Sequence, residues 1–343
     1  MDRVLFVLDH KLHDYRAPLF CMLSKYFDVT VVHRGPKLAG EHGFSQCILN
    51  YRRFGPFEYV VGLNLKSYDV VIYMQNIRML NIYLGPFLSN QFRVKYWGIG
   101  ASSAKGLRKD AWAITWIRNT LTFFSDGLAL YSSFPLDQYW YCNRSKLNVV
   151  GNSIRNPHAA DFSGSDKEHI LFIGTLDARK GVRELIASVS RALETNENLK
   201  LVIAGDGVER GWIERDIIER GLQGKVEMLG RVVCPSLKRA IFSKAFCVVS
   251  PFQAGLGVVE SFSYGVPFVT SKYAVTGGEA LSIIDGVNGA LFEDVAELDD
   301  ILISFIDGRR STKVLGRRAY ELYASELSFD GYVERFVRFI NTR

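Results

Sequence analysis

Four glycine-rich segments in the second half of the chain carry residue types that bind anions and sugars. The first is Gly174-Thr175-Leu176-Asp177-Ala178-Arg179-Lys180-Gly181, which follows an apolar run. Glycine lets the backbone turn sharply and approach a ligand. Arg179 and Lys180 are expected at the start of a helix, where free N–H groups already favour an anion. A diphosphate fits this chemistry, and an exposed Arg-Lys pair ahead of a helix is an equally open alternative. The second, Gly205-Asp206-Gly207, is only a G-x-G and by itself reads as a strand-to-helix turn. In the third, Ser250–Pro267, Gly255 and Gly257 precede an apolar helix whose first turn is expected to carry Glu260. That carboxylate can stabilise the helix dipole, or it can accept two hydrogen bonds from a ribose diol. The fourth is Thr276-Gly277-Gly278-Glu279 with Asp285-Gly286-Val287-Asn288-Gly289 after it.

In the first half, His10 and His13 stand in Asp9-His10-Lys11-Leu12-His13-Asp14, a polar loop expected after the first strand and so a candidate for chemistry. His33, His42, His158 and His169 are isolated and read as structural or solvated. No D-x-D occurs, and Asp299-Asp300 reads as a solvated helix face, so no metal is expected. Cys21, Cys47, Cys142, Cys234 and Cys247 lack any C-x-x-C pairing, the pattern of free thiols in a reducing compartment.

These segments need a scaffold that gathers strand ends. Val4–Leu8, Val29–Val32, Asp69–Tyr73, Val94–Trp97 and Gly127–Tyr131 read as strands, and Pro18–Tyr26 as a helix. A linker of turn chemistry falls between about Asn152 and Lys167. Beyond it, strands at His169–Gly174, Leu199–Gly205 and Lys225–Gly230 alternate with helices at Val182–Leu193 and Gly211–Arg220. The alternation continues through Leu237–Phe242, Ala245–Ser250, Val258–Tyr264 and Pro267–Thr270, and Ser328 is a plausible cap for a last helix through Ile340. Such alternation predicts α/β architecture with parallel sheets covered on both faces. The expected division is residues 1–155, 156–325, and a helix at 326–343 that packs back on the first domain.

At 343 residues, 48% apolar and 23% charged, the chain has material for two cores. No stretch reads as a membrane span. The N-terminus runs directly into a strand, so the expectation is a protein that stays in the cytoplasm. Residues 1–155 hold 19 Lys+Arg against 10 Asp+Glu, whereas residues 156–343 hold 23 against 26. The basic half is expected to meet something anionic. Lys105, Arg108, Lys109 and Arg118 flank Trp112, Trp116 and Phe124 on a helical stretch. Two readings stand. The stretch is an interfacial helix for an anionic membrane, or it packs its aromatics into the core behind a solvated basic face.

Residues 168–295 resemble the C-terminal domain of family-4 GT-B glycosyltransferases. The resemblance rests on Gly174, Lys180-Gly181, Ile203-Ala204-Gly205-Asp206-Gly207, Val226–Gly230, Ser250-Pro251, and Glu260 leading to Gly265-Val266-Pro267. Gly277-Gly278-Glu279 and Asp285–Gly289 complete it, all in the family's order. The first half is similar more loosely, in Tyr15–Phe20 and Asn152-Ser153-Ile154. The resemblance implies two Rossmann-like parallel-sheet domains facing a cleft. A nucleoside-diphosphate sugar, as co-substrate, would lie in the C-terminal one.

It further implies Lys180 on the diphosphate, Glu260 on the ribose, and the backbone of Leu256, Gly257, Val258 and Val259 over the phosphates or sugar. Arg231 and Val232 would lie near the base. Thr175 stands where the family has an arginine, with Arg179 the substitute further along the loop. Phe252 stands where it has a first glutamate, with Gln253 the nearest polar replacement. Ile99 stands where some relatives place a histidine.

The implied reaction is sugar transfer with retention and without a metal or other cofactor, and with Glu260 and the His10/His13 loop as catalytic candidates. The expected acceptor is a glycan or lipid-linked glycan, met on the inner face of the cell membrane, in cell-surface polysaccharide or glycoconjugate synthesis. Nucleic acid is not an expected partner. Competing readings are a non-catalytic GT-B binding protein and a nucleotide-sugar 2-epimerase. A dehydrogenase is disfavoured because the first strand is not followed by G-x-G-x-x-G.

Overall fold

The computed structural model describes residues 1–342 except 89–91, 103–107, 159, 161, 163–166 and 197–198. The described chain divides into two compact units, one of residues 1–155 with the segment from Phe329 onward, the other of residues 156–328.

The first unit is built on a seven-stranded parallel sheet. Its strands are β1 (Arg3–Lys11), β2 (Asp28–Arg34), β3 (Ser45–Ile48), β6 (Val70–Met74), β7 (Arg93–Gly98), β8 (Gly127–Leu130) and β9 (Leu147–Val149), in the spatial order β3-β2-β1-β6-β7-β8-β9. A separate antiparallel hairpin, β4 (Tyr51–Phe54) and β5 (Phe57–Val60), interrupts the series. Val4 to Leu8 are at most 1% exposed, as expected of a strand covered on both faces. Helix α1 (Ala17–Leu23) and the C-terminal helix Phe329–Asn341 cover one face. Helices α2 (Asn81–Leu88) and α3 (Trp112–Phe123) and the base of the hairpin cover the other.

The C-terminal helix buries Phe329, Tyr332, Val333, Phe336, Phe339 and Ile340, one apolar stripe. Its last carbonyls are gathered by two cations. Lys95, fully buried in β7, donates from Nζ to the Phe339 and Thr342 carbonyls at 2.7 Å, and Arg93 donates to the Ile340 carbonyl at 3.0 Å. Cations at a helix C-terminus satisfy its free carbonyls and its dipole together.

The second unit is a six-stranded parallel sheet. Its strands are β10 (His169–Ile173), β11 (Lys200–Ala204), β12 (Val226–Gly230), β13 (Ala245–Val249), β14 (Phe268–Ser271) and β15 (Gly289–Phe292), ordered β12-β11-β10-β13-β14-β15. Helices α4 (Val182–Thr195), α5 (Arg210–Glu219) and α8 (Glu297–Ile306) pack on one face. Helices α6 (Pro235–Ser243), α7 (Leu256–Ser263) and α9 (Thr312–Leu322) pack on the other. Both units are therefore Rossmann-like α/β domains.

Several expectations change. The first strand runs on to Lys11, which pairs with Arg34 after a register shift. Asp9 and His10 are thus strand residues and only His13 lies in the loop. Gly289 opens a strand: it pairs with Phe268, whose carbonyl lies 2.3 Å from where a Cβ on Gly289 would sit. Asp299 is buried and paired with Arg191, while Asp300 alone faces solvent. The core-packing reading of the Trp112–Phe124 aromatics fails. Trp112 is 84% and Trp116 56% exposed, and it is Arg118 that turns inward, to Asp110 at 2.7 Å. Lys105 lies outside the described residues.

Candidate functional site

Each sheet has one point where strand order reverses, and open parallel sheets bind ligands outside the strands' carboxyl ends at such a switch. In the second unit the switch lies between β10 and β13, so the loops after those strands form the candidate site.

The loop after β10 carries Gly174 to Gly181. Gly174 and Gly205 touch closely: a Cβ on Gly205 would sit 1.9 Å from the Gly174 carbonyl oxygen, and one on Gly207 2.3 Å from that of Leu176. The two glycines of Gly205-Asp206-Gly207 are thus needed to let two loops pack. Arg179 and Lys180 end a 3-10 turn capped by Asp177, and Gly181, at φ +71, precedes α4. They therefore stand one turn ahead of the helix rather than in it.

Their side chains part ways. Arg179 is exposed and tied to Asp177 at 2.9 Å. Lys180 turns in over Gly174, with Nζ 3.8 Å from where a glycine Cβ would be, and it makes no side-chain hydrogen bond or ion pair among the described residues. Burial lowers the Lys180 ammonium from its ordinary value; Arg179 adds to this, while Asp177 and Glu279 oppose it. Thr175 is exposed in the same loop.

The loop after β13 meets the loop after β14. Val275 donates from its N–H to the Phe252 carbonyl at 2.8 Å, and Ala254 donates to that of Val275 at 2.9 Å. Phe252 packs beside Gly181, where an added Cβ would come within 2.8 Å of its ring. The residue replacing the family's carboxylate therefore closes the β10 and β13 loops together. Next to it the Gln253 Oε1 is buried without a partner, a polar atom that folding alone leaves unsatisfied. Gly255 is the residue before α7, and Leu256 and Gly257 open the helix half-buried. Val258 and Val259 point into the core, so their backbone alone can face a ligand.

Glu260 is the fifth residue of α7 rather than part of its first turn. Its carboxylate, 13% exposed, accepts from Lys238 of α6 at 2.5 Å. No sequence signal marked Lys238, because the pair joins two helices 22 residues apart. Glu279, only quoted as part of a glycine loop, is buried and accepts from the Gly277 N–H at 3.0 Å. Arg231 and Val232 follow β12, two strands from β10, which places them about 10 Å along the sheet edge. The structure thus gathers Gly174, Thr175, Lys180, Gln253, Gly255, Leu256 and Gly257, and sets Arg231 and Val232 to one side.

In the first unit the switch lies between β1 and β6. There Asp9 accepts from His10 Nδ1 at 2.6 Å and from Asn76 Nδ2 at 2.8 Å. Burial would raise the Asp9 carboxyl, but the hydrogen bonds and charge of His10, with Asn76, hold it below its ordinary value. The bond at Nδ1 leaves the His10 Nε2 as the ring's outer atom. His13 lies 5.8 Å from His10, centroid to centroid, and stacks on Tyr15. Burial lowers the His13 pKa, with His10, Lys11 and Arg16 adding to it and Asp14 opposing.

The chain is similar to known glycosyltransferases in sequence over part of its length, and in fold. Residues 155–322 match the family model described as glycosyl transferases group 1. An uncharacterized glycosyltransferase of Methanocaldococcus jannaschii is 36% identical over 126 residues, 36% of this chain and 31% of that protein. A second relative is the Campylobacter jejuni GalNAc-alpha-(1->4)-GalNAc-alpha-(1->3)-diNAcBac-PP-undecaprenol alpha-1,4-N-acetyl-D-galactosaminyltransferase. It is 32% identical over 157 residues, 44% of this chain and 42% of that one. The chain thus spans less than half the length of these curated relatives. Among solved structures, Anabaena HepE in complex with UDP superposes with a TM-score of 0.73 at 14% identity, over 99% of this chain and 100% of that one. That likeness is one of fold, and the fold is GT-B. Residues 155–322, which include the switch-point loops of the second unit, are thus similar to the group 1 glycosyl transferases.

Proposed function

We propose that the chain transfers a sugar from a nucleoside-diphosphate sugar to a glycan or lipid-linked acceptor. In this reading transfer retains anomeric configuration, needs no metal, and serves cell-surface polysaccharide or glycoconjugate synthesis on the cytoplasmic side of a membrane. The observation that carries it is the Lys180 ammonium, half-buried over Gly174 at the sheet's switch point with no side-chain hydrogen bond or ion pair among the described residues. A cation held there with no carboxylate bound directly to it suits a diphosphate, and it would stabilise the negative charge that grows on the leaving group. The N-terminus of α7 and the Gly255–Gly257 backbone add N–H donors. Gln253 supplies a side-chain group with an open bond for the sugar. On the acceptor side, His10, oriented by Asp9, presents Nε2 to a hydroxyl. The names of HepE, crystallised with UDP, and of the Campylobacter enzyme, with its PP-undecaprenol acceptor, support the choice of donor and acceptor.

Titration calorimetry of UDP-, GDP- and dTDP-sugars into wild type and Lys180→Ala tests this reading. One nucleotide class is expected to bind, with the variant weaker by roughly 1.5–3 kcal/mol, the worth of a charge-assisted hydrogen bond. Equal affinity in a folded variant rejects the assignment. A second reading, binding without catalysis, draws on Phe252 and on the engagement of Glu260 by Lys238. It predicts nucleotide binding with no transfer to any acceptor.

A further inference from the structure

Helix α3 turns its aromatic residues outward. Trp112, Trp116 and Phe123 are 84%, 56% and 47% exposed, and their spacing of four and eleven puts them on one stripe. The opposite side packs Ile117 and Leu121 on the sheet and also buries the polar Arg118, Asn119 and Thr122. Arg118 donates to Asp110 at 2.7 Å and to Gln75 Oε1 at 3.1 Å. Asn119 accepts from the Trp140 N–H at 2.6 Å and donates to the Gln138 carbonyl at 2.9 Å. Rotating the helix to bury its aromatics would strand a charge pair and an amide in the process, which costs far more than the burial returns. The aromatic stripe is therefore fixed outward. Tyr141, 85% exposed, lies on the turn that adjoins α3.

The charges around the stripe are mainly positive. Arg108 and Arg144 are exposed and Lys146 lies beside Phe123, 5.6 Å from its ring. The acidic residues of the same stretch are engaged: Asp110 with Arg118, Asp137 with Lys109, and Asp126 with the Val94 N–H. Residues 1–155 as a whole carry 19 basic against 10 acidic side chains. Tryptophan and tyrosine rimmed by Arg and Lys match the headgroup level of a bilayer, where an amphipathic ring and an anionic phosphate are met together.

We propose that the outward face of α3, with Trp112, Trp116, Phe123 and Tyr141 as its apolar surface and Arg108, Arg144 and Lys146 as its rim, docks the first unit on an anionic lipid bilayer. This deepens the proposed function and rests on it for the lipid-linked acceptor that docking would serve. Docking needs no spanning segment, and no helix among the described residues is long and apolar enough to cross a membrane.

Flotation of the 343-residue chain with phosphatidylcholine vesicles, with and without phosphatidylglycerol, is the test. The anionic vesicles are expected to carry the protein, and binding falls with added salt. Trp112→Ser with Trp116→Ser is expected to lower the partition coefficient at least about tenfold. UDP affinity, measured without vesicles, stays unchanged in that variant, since both side chains are solvent-facing and remote from the nucleotide loops in sequence. Loss of UDP binding in every form would reject the donor reading and leave the docking result standing. Wild type that ignores anionic vesicles, or a double variant that floats as well as wild type, overturns the proposal. So does a wild-type dimer in sedimentation that the double variant loses, which would assign the stripe to a second copy of the chain.

Discussion

Glu260 sits where a ribose diol would have to share a carboxylate with an ammonium. Lys238 already holds one side of it, at 2.5 Å, and both side chains are largely buried. A carboxylate has room for about four donors, so Lys238 can fix its orientation while the outer lone pairs receive two hydroxyls. Removing either partner also leaves the other a poorly solvated charge. Glu260→Ala is therefore expected to weaken both folding and nucleotide binding, the latter by roughly 1.5–3 kcal/mol, and Glu260→Asp by less. Lys238→Met should lower the melting temperature yet keep most of the UMP affinity. UMP titrated into all three variants separates the cases. Equal affinity in wild type and both Glu260 variants would show that the carboxylate serves α6 and α7 alone. At the other switch point the same logic gives Asp9 a positioning role: Asp9→Asn, which still permits a hydrogen bond to His10, should lower kcat and shift its pH profile while leaving UDP affinity intact.

At the scale of elements, the C-terminal helix ends on two basic side chains, one of which carries its charge at a cost. Lys95 is fully buried, and burial lowers its pKa from 10.5 to about 8, with Arg93 adding to the effect and Asp126 opposing it. The sign follows directly. Between pH 8 and 10.5 the folded lysine has released its proton and the unfolded one has not, so stability rises with pH across that window. As pH falls from 10.5 to 8 that contribution is lost, and below 8 the cost of burying the charge is fully felt. Chemical denaturation at stepped pH should show this rise in wild type and lack it in Lys95→Met. A flat wild-type profile would mean that the lysine stays charged, its ammonium fully satisfied by the Phe339 and Thr342 carbonyls. Helix α3 follows a parallel rule: its orientation is decided by where Arg118 and Asn119 find partners, and the aromatics take the remaining side.

For the whole molecule, the proposed chemistry places positive charge on the protein. In that proposed chemistry Lys180 and the α7 N–H groups take the part that a divalent ion plays in other enzymes, neutralising a leaving diphosphate. Sugar transfer is therefore expected to persist in EDTA. Complete loss of activity restored by Mn²⁺ or Mg²⁺ would contradict this.

Much of the architecture was legible in the linear chain. Val4–Leu8, His169–Ile173 and Lys200–Ala204 are apolar runs that end in turn residues, and a buried parallel strand needs no more than that. Gly174 could be read as a mark of close approach, because its chemistry is local to the backbone, whereas Gly205 and Gly207 read only as a strand-to-helix turn until the fold packed them on the Gly174 loop. Lys180 stood out for the same reason. The weakly patterned pieces escaped: β3, the hairpin and β9 are short edge or surface elements whose residues alternate poorly, and β15 begins at a glycine. Side-chain destinations escaped as well. Arg118 finds Asp110, Glu260 finds Lys238, Asp299 finds Arg191, Asp9 finds Asn76, and Lys95 finds the end of a helix nearly 250 residues on. Periodicity reports which face of an element is apolar. It carries no record of which distant charge will satisfy a buried one, and in α3 that pairing outweighed the aromatic pattern and turned two tryptophans to solvent.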